Sequence, residues 1–230
     1  MGELPAEFSC TVTNWEYIYD LCRDVADDVK AAEFEPDVVV ALARGGWFAG
    51  RCLCDFLGLD DLASLKIEHY VGTAQQGDEP EVRYPLADGA VEGKDVLVVD
   101  DIADTGQSLE TAADCVAERN PASVRTATLQ LLDTSDHEPA FVGERLAEWT
   151  WVVYPWNFIE DMTELVAGVM AESEQTVHSI ADVKSLLRSH HDLSPTALEI
   201  AQPDRLEEVM AEMVRREQAV ATDGGWRLGD

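Results

Sequence analysis

Asp95-Val96-Leu97-Val98-Val99-Asp100-Asp101-Ile102-Ala103-Asp104-Thr105-Gly106-Gln107-Ser108 is the stretch from which the fold is read. Val96 to Val99 form a short, β-branched apolar run of the kind that makes a strand buried on both faces. The chain then turns polar, and from Leu109 apolar residues return at helical spacing as Leu109, Ala112, Ala113 and Val116. Strand, loop and helix in this order belong to a parallel sheet covered by helices, where ligands sit outside the carboxyl ends of strands. Asp100 to Ser108 lie at such an end.

The flanking chain repeats the pattern. Asn14 is suited to cap a helix over about 14–32, whose inner face carries Trp15, Ile18, Leu21, Cys22, Val25 and Val29. Pro36 precedes a buried strand at Asp37–Leu42, which ends in Ala43-Arg44-Gly45-Gly46 and a helix with Trp47, Leu53 and Phe56. Ser64–Tyr70, Val124–Leu132 and Thr150–Tyr154 read as further strands, and the polar stretch 71–89 as a long loop or loose hairpin. The fold class is therefore α/β, with a mostly parallel sheet flanked by helices.

Past about residue 172 the pattern changes. Ser179–His190 and Pro203–Glu217 have helical periodicity, Ser194-Pro195 opens a short helix between them, and 219–228 reads as two strands around an Asp-Gly turn. Three helices and a hairpin resemble a winged helix, which sets the expected domains at 1–170 and 171–230. His190 and His191 read as surface residues at a helix end.

Composition narrows the setting. The 230 residues carry 46 acidic and 16 basic side chains, for a net charge of −30. The acids are spread along a chain that is 46% hydrophobic, which is not the signature of disorder. Such a surface suits a halophile's protein kept in molar salt, where screening over about 3 Å removes self-repulsion. No apolar run reaches the roughly 18 residues of a membrane span. The N-terminus has neither the basic nor the apolar region of an export signal, so the cytoplasm is expected. Five cysteines without zinc or redox spacing fit buried reduced thiols.

The chemistry sits in residues 100–108. Backbone N–H groups at a helix start, approached closely at Gly106, form an anion cradle to which Thr105 and Ser108 add hydroxyls. Carboxylates do not bind phosphate, so Asp100 and Asp101 must face sugar hydroxyls or a cation. Apolar strand followed by Asp-Asp-x-x-Asp-Thr-Gly-x-Ser resembles the phosphoribosyl diphosphate signature of type I phosphoribosyltransferases. The resemblance covers about residues 10–165 and is closest to the xanthine–guanine enzymes and their archaeal relatives.

That resemblance implies the type I phosphoribosyltransferase fold and a set of roles. Ala103, Asp104, Thr105, Gly106, Gln107 and Ser108 would bind the 5′-phosphate. Asp100 and Asp101 would hold ribose hydroxyls and help order Mg2+, and Asp104 would be the catalytic group near the nucleophilic nitrogen of the base. Arg44, Gly45 and Gly46 match the family's diphosphate loop. Trp151-Val152-Val153-Tyr154-Pro155-Trp156 has the spacing of the family's base-covering segment, with Trp151 stacking on the base and the Val152 main chain reading its edge. The family usually has a lysine that donates to the 6-oxo group of the base; Leu132 stands at or near that position.

The implied reaction transfers phosphoribosyl from phosphoribosyl diphosphate (PRPP) to a purine base in purine salvage, releasing diphosphate. The loop from Tyr70 to Pro85 is the candidate lid, with Arg83 as a possible phosphate contact or a solvated charge. An alternative reading is a PRPP-sensing transcriptional regulator with a DNA-binding tail, motivated by the missing lysine and the winged-helix-like module. A third role for the tail is homo-oligomerisation.

Overall fold

The computed structural model describes residues 7–69 and 80–229. In chain order its elements are β1 (Cys10–Val12), α1 (Trp15–Ala31), β2 (Val38–Ala43), α2 (Gly46–Leu57), β3 (Leu62–His69) and β4 (Pro80–Tyr84). There follow β5 (Asp95–Ala103), α3 (Gln107–Ala117), β6 (Ser123–Leu132), β7 (Phe141–Leu146), β8 (Trp151–Val153) and α4 (Phe158–Glu172). Last come α5 (Ile180–His191), α6 (Pro195–Ala201), α7 (Arg205–Arg215), β9 (Ala219–Thr222) and β10 (Gly225–Leu228).

The first compact unit spans 16–149. Its six-stranded sheet has the order β4-β3-β2-β5-β6-β7. Every neighbour pair is parallel except β3 with β4, which matches the expected α/β class. Val96 to Val99 and Val38 to Leu42 are buried because these strands are covered on both faces. On one face Val38, Val40, Val96 and Val98 pack with Leu109, Ala112 and Val116 of α3. Gln130 of β6, also buried, is satisfied: its Nε2 donates to Tyr17 Oη (3.0 Å) and Glu144 Oε2 (2.9 Å), and the Tyr17 hydroxyl donates to Glu144.

Two expectations need correction here. β5 runs on to Ala103, so Asp100, Ile102 and Ala103 are ladder residues opposite Thr128, Gln130 and Leu131 and not loop residues. β7 was not expected, because Glu144 and Arg145 interrupt its apolar pattern; as an edge strand it buries little more than Phe141. β4, antiparallel to β3, agrees with the hairpin alternative for the polar stretch after β3, whereas 70–79, most of the expected lid, lie outside the described residues.

The second unit comprises 7–15 and 150–229 of the described chain. The border thus falls at 149/150 and not at 170/171. The physical reason is α4, which was not anticipated: Phe158, Met162, Val166, Val169 and Met170 share one core with Val183, Leu187, Val209, Met210 and Met213. β1 pairs with β8 in parallel, and Gln202 Nε2 donates to the Thr13 carbonyl (2.8 Å).

The expected C-terminal helices and hairpin form with clear end signals. Ser179 and Asp182 make a capping box on α5, Ser194 caps α6 with Pro195 in its first turn, and β9 pairs antiparallel with β10. His191 is buried against Phe8, with ring centroids 4.4 Å apart, so it is no surface residue. Burial pushes its pKa down.

Candidate active site

Two sequence motifs from different strands converge at the carboxyl end of the sheet. β2 leads into Arg44-Gly45-Gly46, where the Ala43–Arg44 peptide is cis and Gly45 caps α2. Its neighbour β5 delivers Asp100 and Asp101. The two segments touch. A Cβ built on Gly45 would lie 1.8 Å from Asp101 Oδ2; one on Gly46 would lie 2.7 Å from the Val99 carbonyl and 3.2 Å from Asp100 Oδ1. Any side chain at either glycine would occupy the space of the acidic pair or its backbone.

Asp100 and Asp101 are oriented by their own backbone. The Asp101 N–H donates to Asp100 Oδ1 and the Ile102 N–H to Asp101 Oδ1, each at 3.0 Å. Burial, and then the neighbouring Asp101 charge, pushes the Asp100 carboxyl well above the ordinary carboxylate range. A cation or sugar hydroxyls placed against this pair would relieve that crowding.

After Ala103 comes the loop expected to cradle an anion. Gly106 adopts a left-handed conformation (φ 79°) and precedes the first residue of α3. A Cβ there would meet Ser135 Oγ at 2.5 Å and the His137 Cβ at 2.6 Å, so the loop after β6 packs directly on the cradle. The Asp136 N–H donates to the Thr105 carbonyl (3.1 Å), which ties the two loops together. The first N–H groups of α3 have no partners within the helix and point outward at its positive end, as an anion requires. Thr105 and Gln107 are exposed beside them and Ser108 is half-buried.

Asp104 is exposed, and its carboxylate is held from two sides. Thr134 Oγ1 donates to Oδ1 (3.0 Å), and Trp149 Nε1 donates to Oδ2 (3.4 Å). Neither residue stood out in the sequence: each lies in an irregular segment, and only the packing of the loops after β6 and β7 brings it to Asp104. Leu132 is buried and offers no donor where the family's lysine was sought.

With the Gly106 turn before α3, an acidic pair and a glycine loop brought together at one sheet end, the comparison with known sequences becomes decisive. The model of the phosphoribosyl transferase domain matches residues 11–153. This chain belongs to the phosphoribosyltransferase family. Among its relatives is the xanthine–guanine phosphoribosyltransferase of Idiomarina loihiensis, 24% identical over 157 residues, which cover 67% of this chain and 91% of that protein. The hypoxanthine–guanine phosphoribosyltransferase of Canis lupus familiaris is 36% identical over 76 residues, covering 32% of this chain and 35% of the relative. Among solved structures, the purine phosphoribosyltransferase from Pyrococcus horikoshii Ot3 aligns with TM-score 0.56 at 25% identity, covering 64% of this chain and 93% of its own.

Arg83, Arg44, Trp151 and Val152 are the remaining expected residues of this phosphoribosyltransferase. Arg83 sits on the edge strand β4, 3.8 Å from Glu68 Oε2 and over the ring of Tyr84. Arg44 is exposed at the start of the glycine loop. Trp151 and Val152 lie on β8 of the second unit, where Val152 pairs with Thr11 and Trp151 packs against that unit's core.

Proposed function

We propose that this phosphoribosyltransferase moves the 5-phosphoribosyl group of PRPP to a ring nitrogen of a purine base and releases diphosphate. The observation that carries this reading is the contact of Gly45 and Gly46 with Asp101 and Asp100, one strand away from the α3 cradle. The cradle binds the 5′-phosphate through Ala103 to Ser108, the acidic pair takes the ribose hydroxyls, and the Arg44–Gly46 backbone faces the leaving diphosphate. In the reaction the C1′–N bond forms as the C1′–O bond to diphosphate breaks, and Asp104 accepts or orients the proton lost by the base. The purine class comes from the named relatives.

Magnesium fits the site as a shared ligand. Among the described residues no three His, Cys, Asp or Glu side chains gather to hold an ion. Asp100 and Asp101 would therefore supply one or two carboxylates and the donor the remaining oxygens, as is usual for this cation. Bound there, magnesium would neutralise charge on the departing diphosphate.

The basic residues of α7 bear on the regulator alternative. Arg205 pairs with Glu208 (2.7 Å), and Arg215 and Arg216 both pair with Glu212 (2.6 Å each). Cations already matched by carboxylates are poor partners for nucleic-acid phosphates, which favours the enzyme. The test is diphosphate release from labelled PRPP with hypoxanthine, guanine, xanthine and adenine in turn. Turnover of at least one base is expected. Tight, magnesium-dependent PRPP binding with no turnover of any base would replace the enzyme by a sensor.

A further inference from the structure

We infer that Thr134 and Trp149 are positioning residues that clamp the Asp104 carboxylate in the orientation in which it meets the base; this rests on the proposed role of Asp104. The exposed carboxylate receives one donor on each oxygen: Thr134 Oγ1 on Oδ1 at 3.0 Å, its hydrogen shared with the Asp104 main-chain carbonyl at 3.2 Å, and Trp149 Nε1 on Oδ2 at 3.4 Å. A single hydrogen bond would leave an exposed aspartate free to turn about its terminal torsion, which is broad. Two donors approaching from separate loops fix that torsion.

The donors are suited to holding a base without disabling it. An indole N–H only donates, and a threonine hydroxyl has one hydrogen to give. An ionised carboxylate has about four acceptor positions, so two remain for an incoming N–H. Among the described residues Asp104 forms no ion pair, and its negative charge is left for the substrate.

The clamp is also anchored. The Asp133 N–H donates to the Leu146 carbonyl (3.1 Å) and the Ser135 N–H to the Leu132 carbonyl (3.0 Å), which fixes the backbone on both sides of Thr134. The Asp136 N–H reaches the Thr105 carbonyl, next to Asp104 itself. Thr134 and the carboxylate it holds are thus parts of one hydrogen-bonded loop pair. Rigid support of this kind is what keeps a reacting group within a few tenths of an ångström of its working position.

The test uses near-isosteric changes in the full chain. Thr134→Val and Trp149→Phe each remove one donor and keep most of the shape. Each should lower kcat/KM for the base about ten- to a hundredfold, the usual worth of a hydrogen bond to a charged group. The dissociation constant for PRPP, read by calorimetry, should change much less than kcat/KM, since the phosphate meets the backbone N–H groups at the start of α3 whereas these two side chains hold the Asp104 carboxylate. Thr134→Ser, which keeps the hydroxyl, should recover most of the loss. In an Asp104→Asn background Thr134→Val should add little, because the carboxylate it acts through is gone. Wild-type kinetics in both single variants, beside a slow Asp104→Asn enzyme, would overturn the clamp alone. Equal losses with and without the Asp104 carboxylate would also overturn it. A wild-type rate for Asp104→Asn would remove the role of Asp104 and the clamp with it.

Discussion

The acidic pair and the glycine loop exclude side chains from each other's space: a Cβ on Gly45 would stand 1.8 Å from Asp101 Oδ2. The neighbour of each glycine differs in how far it can give, and this separates their roles. Gly45 faces the end of a side chain, which can swing away. Gly46 faces the Val99 carbonyl at 2.7 Å, which cannot move without disturbing β5.

Gly45→Ala should therefore displace the Asp101 carboxylate, weakening PRPP binding at least tenfold with a small change in Tm. Gly46→Ala should lose binding and also about 1–3 kcal/mol of stability, as overpacking against fixed backbone does. Gly168→Ala, in α4 with nothing within 4 Å of its Cβ, is the control and should stabilise by up to about 1 kcal/mol. Thermal melts and calorimetry on the three variants decide; equal behaviour of Gly45→Ala and Gly46→Ala would contradict the geometry.

Asp100→Asn and Asp101→Asn should each abolish or strongly weaken the magnesium dependence of PRPP binding. Without donor and metal, however, Asp100→Asn should melt higher than wild type at neutral pH. It removes one of two crowded carboxylates whose charge burial disfavours. A lower Tm for this variant would show that the pair stabilises the fold on its own account.

The Cys22 thiol on α1, acting on Cys52 on α2, together with the charge of Arg51 holds the Cys52 pKa below the ordinary thiol range. Burial pushes Cys54 up. Because the thiolate is the reactive form, Cys52 should be alkylated at lower pH than Cys54. Cys22→Ala removes the donor that stabilises the thiolate, so the alkylation profile of Cys52 should move to higher pH. Mass spectrometry from about pH 6.5 to 10.5 (about two units either side of the ordinary thiol value) reads both; an unmoved Cys52 profile in Cys22→Ala would refute the pairing.

A net charge of −30 on a chain of ordinary apolar content predicts salt-dependent folding. The protein should lose structure in dilute buffer and regain it in roughly molar KCl, where charges more than about 3 Å apart are screened. Circular dichroism against KCl concentration is the measurement. A midpoint that stays flat from low to high salt would remove the halophilic reading.

Much of this protein was legible in one dimension because its information is local. The apolar runs Val38–Leu42 and Val96–Val99, the acids that follow, and Gly106 before a helical period state strand, ligand end and helix start within a few residues of each other. β7 was not legible, since an edge strand with Glu144 and Arg145 shows little period. Nor was α4, whose apolar face has meaning only against α5 and α7, and with it moved the border between the units. The sequence by itself determined the parallel centre of the sheet and the order of strand, acidic pair and helix start around residues 96–108, because backbone conformation and charge are fixed by neighbours in the chain. Only the tertiary structure decided that Gly45 must yield space to Asp101 and that Thr134 and Trp149 hold Asp104, because these contacts join residues 30 to 56 positions apart through packing, which leaves no periodic trace.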